Sequence, residues 1–363
     1  MFCIFVKPIG MWYDSFMNCG KIIIGMSGGV DSAVTALLLK RQGYNVTGVT
    51  MKAHEYGEEE AAAATAAYLG IPHMIVDCRE AFTDKVISYF VSEYTHGRTP
   101  NPCTICNRLI KWDVLLRAAD ELGAERIATG HYARIVRLDS GRYALGQVTA
   151  GGKDQTYALY NLTQEMLART VMPLGMYDKD TVRRTAAEAG LSEAEKPDSQ
   201  EVCFIPDHDH AAFIERYTGQ TLTPGHFVDE TGRVLGVHKG IERYTVGQRK
   251  GLGIAAGEPI YVTRIDPQTG DVVLGPDSSN MKTELTASGL NCMGIADFEE
   301  ISDGRLCTAK IRYNHKGTAC RVYKTGEDRI RVVFEDPVRA VTPGQAAVIY
   351  DLEGHVLGGG QIE

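Results

Sequence analysis

The chain has 363 residues and a formal net charge of −8 at pH 7, with 44% hydrophobic and 23% charged residues. This length exceeds one compact core of ordinary size, so we expect two or three domains. The acidic total argues against a nucleic-acid protein that relies on bulk charge, and the lack of a run of about eighteen apolar residues argues against a membrane span. Nine scattered cysteines, an odd number, do not form a disulfide framework and favour a reducing cytoplasm.

Residues 1–20 are rich in apolar side chains but are interrupted by Pro8, Gly10 and Asp14. They lack the basic start and the small-residue cleavage site of a secretory signal. We therefore interpret residues 1–20 as an extension before the first strand, and leave open whether this extension is native.

Residues 21–51 predict a βαβ unit. KIIIGM has the composition of a buried parallel strand, Ser32 to Gln42 has helical spacing, and TGVTM at 47–51 predicts the next strand. A right-handed crossover places the intervening turn at the carboxyl edge of the sheet, where ligands bind. Glycines in this turn leave room for an anion at the helix N-terminus, and the missing GK[ST] excludes a Walker A loop.

The turn SGGVDS resembles the PP-loop of ATP pyrophosphatases, which cleave ATP between the α and β phosphates. The resemblance implies that Asp31 helps to place Mg²⁺. It also implies a set of ATP-binding residues: Gly25, Met26, Ser27, Gly28, Gly29, Val30, Asp31, Ser32, Met51 and Gly130. Small-molecule ligases and tRNA-sulfurating enzymes share this loop, so the loop alone does not choose between them.

Four later segments narrow the choice: NPCTICNRLIKW (101–112), ATGHYAR (128–134), GGKDQTYAL (151–159) and DSQEVCFIP (198–206). The CxxC pair in the first is typical of a redox disulfide, half of a zinc site or part of an iron–sulfur site. With YTVGQRKGLG (244–253), KIRYNH (310–315) and TPGQAAVIYD (342–351), these segments resemble the tRNA-specific 2-thiouridylases, the MnmA/TrmU family. The resemblance runs from about residue 21 to the C-terminus.

The resemblance implies both a fold and a reaction. The fold is an α/β PP-loop domain, adenine nucleotide α-hydrolase-like, with a doubly wound parallel sheet, followed by a small β domain and a C-terminal β-barrel-like domain. ATP would activate the C2 oxygen of the wobble uridine in a tRNA anticodon stem-loop as an adenylate, and sulfur would then displace AMP. Sulfur would arrive as a persulfide on Cys203, from a cysteine desulfurase or a sulfur relay protein. Cys106 would reduce the persulfide and end in a disulfide.

Cys103 departs from the family pattern, which has an aspartate at this position. Three cysteines facing one pocket (103, 106 and 203) are too few for a closed structural zinc site, but they suit a 4Fe–4S cluster with one open iron. A second interpretation is persulfide chemistry, with Cys103 as a spare resolving thiol. In a third interpretation, Cys103 is simply a small buried residue. The sequence leaves all three open.

The resemblance also implies tRNA contacts. Their residues are Asn101, Pro102, Cys103, His131, Lys153, Asp154, Gln155, Arg312, Tyr313 and Gln345. Two stretches rich in lysine and arginine, 233–250 and 305–331, suit contacts with RNA phosphates despite the acidic total.

We expect four segments along the chain. These are the extension (1–20), a PP-loop ATP-binding catalytic domain (21–217), a small central β domain (218–285) and a C-terminal β-barrel tRNA-binding domain (286–363). The competing functions are a cluster-dependent tRNA sulfurtransferase acting at another tRNA position, a small-molecule PP-loop ligase, and a non-catalytic RNA-binding protein.

Overall fold

A computed structural model describes residues 20–148, 153–196 and 202–363. The predicted N-terminal extension lies outside the described residues except for Gly20, as do the starts of the GGKDQTYAL and DSQEVCFIP segments. Among the described helices, none combines the length and apolar character that crossing a membrane requires.

The described residues up to Thr218 form a region of mixed helices and strands. In chain order its elements are β1 (Lys21–Gly25), α1 (Val30–Arg41), β2 (Asn45–Lys52), α2 (Glu59–Leu69), β3 (His73–Asp77), α3 (Arg79–Phe82), α4 (Ser88–Thr95), α5 (Pro102–Cys106), α6 (Trp112–Leu122), β4 (Arg126–Ala128), β5 (Arg134–Arg137), β6 (Tyr143–Gly146), α7 (Thr156–Leu159), α8 (Gln164–Ala168), β7 (Thr170–Val171), α9 (Lys179–Glu188) and α10 (His210–Thr218). A π turn joins α3 to α4 (Thr83–Ile87), and another joins α5 to α6 (Asn107–Lys111).

Five of these strands form a parallel sheet in the order β3-β2-β1-β4-β7. Successive isoleucines of β1 point to opposite faces: Ile23 shares a core with α6, whereas Ile22 and Ile24 share one with α1, α2 and α9. Helices therefore cover both faces, which confirms the doubly wound PP-loop architecture. Helix α1 begins at Val30, two residues before the predicted start, because the extended backbone of Gly29 provides its N-cap.

Residues 225–275 form a second, smaller sheet. Its strands are β8 (Gly225–Asp229), β9 (Val234–His238), β10 (Tyr261–Asp266) and β11 (Asp271–Gly275), in the order β10-β11-β8-β9. Phe227, Val262, Val272 and Leu274 form its buried core. A small β domain was predicted here, and the sheet agrees with that prediction.

The remaining strands form a closed barrel. They are β12 (Met281–Cys292), β13 (Cys307–Lys310), β14 (Thr318–Gly326), β15 (Arg329–Arg339), β16 (Ala346–Tyr350) and β17 (Val356–Ile362), and they pair in the order β12-β15-β14-β13-β16-β17. The predicted barrel is confirmed. Strand β12 crosses the expected boundary at 285–286, because it pairs with β15 from Met281 onward and with β17 near its end.

The barrel contacts the segment that leads into α5. The Thr99 amide donates to the Pro343 carbonyl at 2.8 Å, and the Gln345 amide nitrogen donates to the Thr99 carbonyl at 2.8 Å. Gly344, at φ +92°, approaches so closely that an added Cβ would lie 2.9 Å from the Thr99 nitrogen. The start of the CxxC helix is therefore positioned by a distant part of the chain.

Candidate active site

The PP-loop lies between β1 and α1 at the carboxyl edge of the parallel sheet. The Ser32 hydroxyl accepts from the Ser27 amide at 3.2 Å and donates to the Gly29 carbonyl at 3.0 Å, which closes the turn on itself. Gly28 has φ +74°, and an added Cβ there would lie 2.8 Å from the Glu58 Cβ, so both conformation and space require glycine. Met26 is buried, so its side chain belongs to the core and its backbone to the loop.

Asp31, in the first turn of α1, is surrounded by donors from other segments. Its carboxylate accepts from the Lys179 ammonium at 2.6 Å and from the Tyr132 hydroxyl at 2.7 Å, and the Lys153 ammonium lies 3.7 Å away. Both lysines also lie over the Tyr132 ring, at 5.9 and 5.5 Å from its centroid. Three segments thus bring two cations to the helix N-terminus where the sequence predicts a phosphate.

Gly130 follows β4 and packs directly on the start of α1. A Cβ added to Gly130 would lie 2.9 Å from the Asp31 carbonyl carbon and from the Ser32 nitrogen. Met51 lies near the end of β2, half-buried against an aromatic core. The ends of three neighbouring parallel strands therefore bring the predicted nucleotide-binding residues to one edge.

Helix α5 carries both cysteines of the CxxC pair. Asn101 is its N-cap, with the side-chain oxygen accepting from the Cys103 amide at 3.1 Å, and Pro102 occupies the first helical position. Cys103 is exposed, whereas Cys106 is half-buried. The NPC sequence therefore has a clear local role as a helix start, in addition to any role toward a substrate.

Cys203 is held by the aromatic residue that follows it. Phe204 is buried, and its ring lies 5.5, 5.3 and 5.2 Å from the rings of Phe82, Phe90 and Phe213. These partners come from α3, α4 and α10, so the anchor fixes the backbone next to an exposed thiol.

The three thiols lie near enough for their charges to act on one another. Burial raises the pKa of the Cys106 thiol to about 12, against the lowering effect of Lys111, and the Cys203 and Cys103 thiolates raise it further. Although Cys203 is exposed, the surrounding protein partly desolvates its thiol and thereby raises its pKa, again opposed by Lys111. The π turn between α5 and α6 joins residues five apart by backbone hydrogen bonds, so it turns Lys111 toward the Cys106 face of the helix. At neutral pH, Cys106 is a protonated thiol beside an ammonium group.

An iron–sulfur cluster requires the three sulfurs to face one metal-sized space. In the described part of the chain, no three His, Cys, Asp or Glu side chains stand close enough to hold a metal ion together. The residues do not fit a cluster as they are arranged, and we derive no step through one.

His131 connects the two halves of the site. Its ring lies 5.6 Å from the Trp112 ring and shares a 3.0 Å hydrogen bond with the Thr129 hydroxyl. Burial and the nearby Lys111 lower its pKa to about 3, so its imidazole is neutral at physiological pH. Gly130, on one side of it, touches the PP-loop helix, while Lys111, on the other, lies among the thiols.

Lys153, Asp154 and Gln155 each have a different internal partner. Lys153 faces Asp31, and Asp154 forms a 2.7 Å ion pair with Lys310, which is only 8% exposed. The Gln155 side-chain oxygen accepts from the Tyr132 amide at 2.9 Å. This triplet therefore spans from the PP-loop to the barrel.

Of the barrel residues predicted to contact tRNA, Tyr313 lies beside this triplet and Gln345 lies beside the segment that leads into α5. Tyr313 is 40% exposed, and charges on Lys153, Asp154 and Cys103 act on its pKa, which burial raises. Gln345 bonds to Thr99, as described, and the Arg312 guanidinium donates to the Arg339 carbonyl at 2.8 Å.

The basic stretch 305–331 is largely neutralised by neighbouring carboxylates. Six of its eight basic residues form ion pairs: Arg305–Asp303, Lys310–Asp154, Arg321–Glu335, Lys324–Asp297, Arg329–Glu363 and Arg331–Glu284. The sequence of residues 305–331 itself contains only two acidic residues, Glu327 and Asp328. The stretch is therefore a less cationic surface than its composition indicates, because the partners come from other segments.

Sequence reasoning missed several residues of this site. Tyr132, Lys179 and Lys196 contact the PP-loop or Asp31, and Lys111 and Cys78 act electrostatically on Cys106. Cys78 directly follows β3, and a cysteine just past a parallel strand was a usable signal. Lys179 and Lys196 carried no such signal, because they lie 148 residues from Asp31 and 168 residues from Gly28 in the sequence and meet the loop through tertiary folding.

Comparison with known proteins agrees with this arrangement. Family models match residues 20–207 (tRNA methyl transferase HUP domain), 211–276 (tRNA methyl transferase PRC-barrel domain) and 282–362 (aminomethyltransferase beta-barrel domain). A 4-thiouridine synthetase solved with RNA and ATP covers 54% of this chain and 50% of its own, at 17% identity and a TM-score of 0.35, a likeness on which no argument rests.

Curated relatives are much more similar. The chain is 50% identical to the tRNA-specific 2-thiouridylase MnmA of Lachnoclostridium phytofermentans, over 94% of this chain and 99% of that protein. It is 49% identical to the MnmA of Carboxydothermus hydrogenoformans, over 94% and 97% of the two chains. The chain therefore belongs to the family of tRNA-specific 2-thiouridylases, MnmA.

Proposed function

We propose that this chain is an ATP-dependent tRNA-uridine 2-sulfurtransferase that thiolates the wobble uridine. The observation that carries the proposal is the Gly130–Tyr132 segment: Gly130 and Tyr132 touch the start of the PP-loop helix, and His131 between them lies near Lys111 of the thiol site. A nucleotide-activated base and a sulfur donor must meet in such a reaction, and this segment joins the two sites. The names of the relatives favour C2 of uridine and do not favour the alternative of another tRNA position.

The first step is adenylation of the uridine. The C2 oxygen attacks the α-phosphorus of ATP, the bond to the bridging oxygen breaks, and its electron pair leaves with pyrophosphate. The PP-loop amides and the α1 dipole stabilise the developing charge. Mg²⁺ would be held by Asp31 together with phosphate oxygens, and it would supply further charge neutralisation.

The second step replaces oxygen by sulfur. A sulfur-donor protein leaves a persulfide on Cys203, whose side chain is exposed and therefore accessible. The Cys106 sulfur, as thiolate, attacks the Cys203 sulfur, a disulfide forms, and the terminal sulfur leaves as hydrosulfide. Hydrosulfide adds to C2 and AMP departs with the original oxygen. An external dithiol then returns two electrons to the disulfide. The cytoplasm supplies such reductants.

The experiment is thiolation of unmodified tRNA by the purified chain with ATP, Mg²⁺ and a persulfide donor, read as 2-thiouridine by mass spectrometry of digested tRNA. We expect Cys203→Ser and Cys106→Ser to abolish product while tRNA-dependent pyrophosphate release persists. Pyrophosphate release driven by a small molecule instead of tRNA would contradict the proposal.

A companion measurement separates the two sulfur chemistries. The chain is purified without oxygen, and iron and acid-labile sulfide are measured per chain. We expect an iron-free protein that thiolates tRNA. About four irons per chain, lost together in Cys103→Ala, Cys106→Ala and Cys203→Ala, would contradict the persulfide route and support a cluster.

A further inference from the structure

The PP-loop has no basic residue of its own, yet lysines from distant segments reach it. The run Met26 to Ser32 contains no lysine or arginine. Lys179, the first residue of α9, pairs with Asp31 at 2.6 Å and is largely buried. Lys196, which follows α9 by a short 3₁₀ turn, donates to the Gly28 carbonyl at 3.2 Å and pairs with Glu58. Two cations are therefore fixed on this loop, one at its centre and one at its helical end.

Each of these lysines is paired with a carboxylate next to the place where phosphates would bind. Asp31 lies in the first turn of α1, and the Glu58 side chain lies against Gly28, within 2.9 Å of where a Cβ would stand. A carboxylate and a phosphate present similar oxygens to an ammonium group. In the nucleotide-free chain, the carboxylates of Asp31 and Glu58 therefore contact the two ammonium groups in the way that phosphate oxygens would.

We propose that Lys179 and Lys196 bind the pyrophosphate half of ATP, exchanging Asp31 and Glu58 for phosphate oxygens when the nucleotide enters. The inference rests on the ATP site of the proposed function and names which side chains supply its positive charge. The exchange also releases the Asp31 carboxylate, which then becomes available to Mg²⁺. A carboxylate oxygen of Asp31 that accepts from the Lys179 ammonium group is a poor ligand for Mg²⁺. Phosphate binding by Lys179 and Mg²⁺ binding by Asp31 are therefore linked.

Charge at these positions favours the chemical step as well as binding. When the bond to the α-phosphorus breaks, negative charge accumulates on the departing pyrophosphate. Once the exchange has taken place, ammonium groups on both sides of the loop already contact the phosphates and stabilise that charge without further reorganisation. A loop lysine performs this task in Walker A proteins. Here the fold supplies it from α9 and from the turn after α9.

The test is binding to the full-length chain by isothermal titration, with three probes: a non-hydrolysable ATP analogue, inorganic pyrophosphate and AMP. For Lys179→Met and for Lys196→Met we expect affinity for the ATP analogue and for pyrophosphate to fall about tenfold to a hundredfold, as for loss of a charge-assisted hydrogen bond. Affinity for AMP should change less than about twofold. Lys179→Arg should recover most of the pyrophosphate affinity, since it keeps the charge.

Arg184→Met is the matched control, because Arg184 lies on the same helix and, among the described residues, its side chain donates to the Thr181 hydroxyl of that helix. It should bind all three probes as the unaltered chain does. Thermal unfolding of every variant shows whether a loss of binding reflects a loss of fold.

Two outcomes would overturn the inference: folded lysine variants that bind pyrophosphate normally, or variants that lose AMP and pyrophosphate equally. These titrations contain no tRNA, so they separate the two proposals. A chain that fails to thiolate tRNA but shows the lysine effect contradicts the proposed function alone. A chain that thiolates tRNA while its lysine variants bind pyrophosphate normally contradicts this inference alone.

Discussion

Cys103 stands where the resemblance implies an aspartate, and its surroundings limit what it can do. It is exposed in the first turn of α5, with its amide bonded to the Asn101 cap, and its charge acts on Tyr313 of the barrel. A thiol is a weak donor and acceptor compared with a carboxylate. An exposed side chain of this kind contradicts the interpretation of Cys103 as a small buried residue, and its role as a spare resolving thiol stays a prediction.

The protonation of Cys106 gives the first prediction. Since burial raises its pKa to about 12, the thiolate fraction at pH 8 is on the order of 10⁻⁴, and it grows about tenfold per pH unit below that pKa. We expect its alkylation by iodoacetamide, followed by mass spectrometry of the peptides, to accelerate tenfold per unit from pH 7 to 10. Lys111→Met should slow it further, because Lys111 lowers the Cys106 pKa. A rate that levels off below pH 9 would contradict this assignment.

At the scale of elements, the helix that carries the CxxC pair is short and depends on its ends. Helix α5 has five residues, begins with the Asn101 cap and continues through a π turn into α6. Asn107 in that turn is buried and donates to the Ala158 carbonyl at 2.9 Å, which ties the turn to α7. The positions of both cysteines therefore depend on a cap, a turn and one buried amide.

Asn101 provides the second prediction, because a cap and an RNA contact respond differently to substitution. Asn101→Ala removes the acceptor and should cost about 1 kcal/mol at the start of α5, lowering the thiolation rate about fivefold. Asn101→Asp keeps the acceptor and should retain the rate. Thiolation rate and tRNA affinity are measured for both variants. If Asn101→Asp is as impaired as Asn101→Ala and binds tRNA more weakly, the residue acts mainly through RNA.

Local patterns determined what could be predicted from the sequence. The strand, glycine turn and helix of residues 21–41 are specified by contiguous residues, so the PP-loop and its βαβ setting were predicted correctly. Lys179 and Tyr132 were not, because their roles arise only when α9 and the segment after β4 pack on the start of α1. The ion pairs of the basic stretch 305–331 could not be predicted for the same reason: Asp154 and Glu363, two of its partners, are far away in sequence.

At the scale of the whole molecule, the barrel and the PP-loop region meet through a largely buried ion pair. Lys310 at the end of β13 contacts Asp154, which also accepts from the Thr156 hydroxyl, and that hydroxyl lies 3.1 Å from the Tyr350 hydroxyl of β16. Lys153 and Gln155, on either side of Asp154, face the nucleotide site. Through Asp154, the barrel thus helps to position Lys153 and Gln155.

This pair gives the third prediction. Lys310→Met or Asp154→Asn alone leaves a buried charged or polar group unpaired and should lower the free energy of unfolding by about 3–5 kcal/mol. The double variant should be less destabilised than the sum of the two. Urea unfolding measures all three. Arg321→Met, which breaks an exposed pair with Glu335, is the control and should cost less than about 1 kcal/mol. Additive losses would show that the two side chains do not act together.

The contacts between the end of the chain and the CxxC segment also affect the order of events during synthesis. Arg98 donates to the Ile362 carbonyl, Gln361 bonds to Tyr89 and Glu93 of α4, and Thr99 is held by Pro343 and Gln345. The ribosome makes these barrel residues long after it has made the CxxC segment. A nascent polypeptide can therefore fold its PP-loop early, but it acquires a fully supported sulfur site only after β16 and β17 have been synthesised. Products truncated before β16 would lack that support.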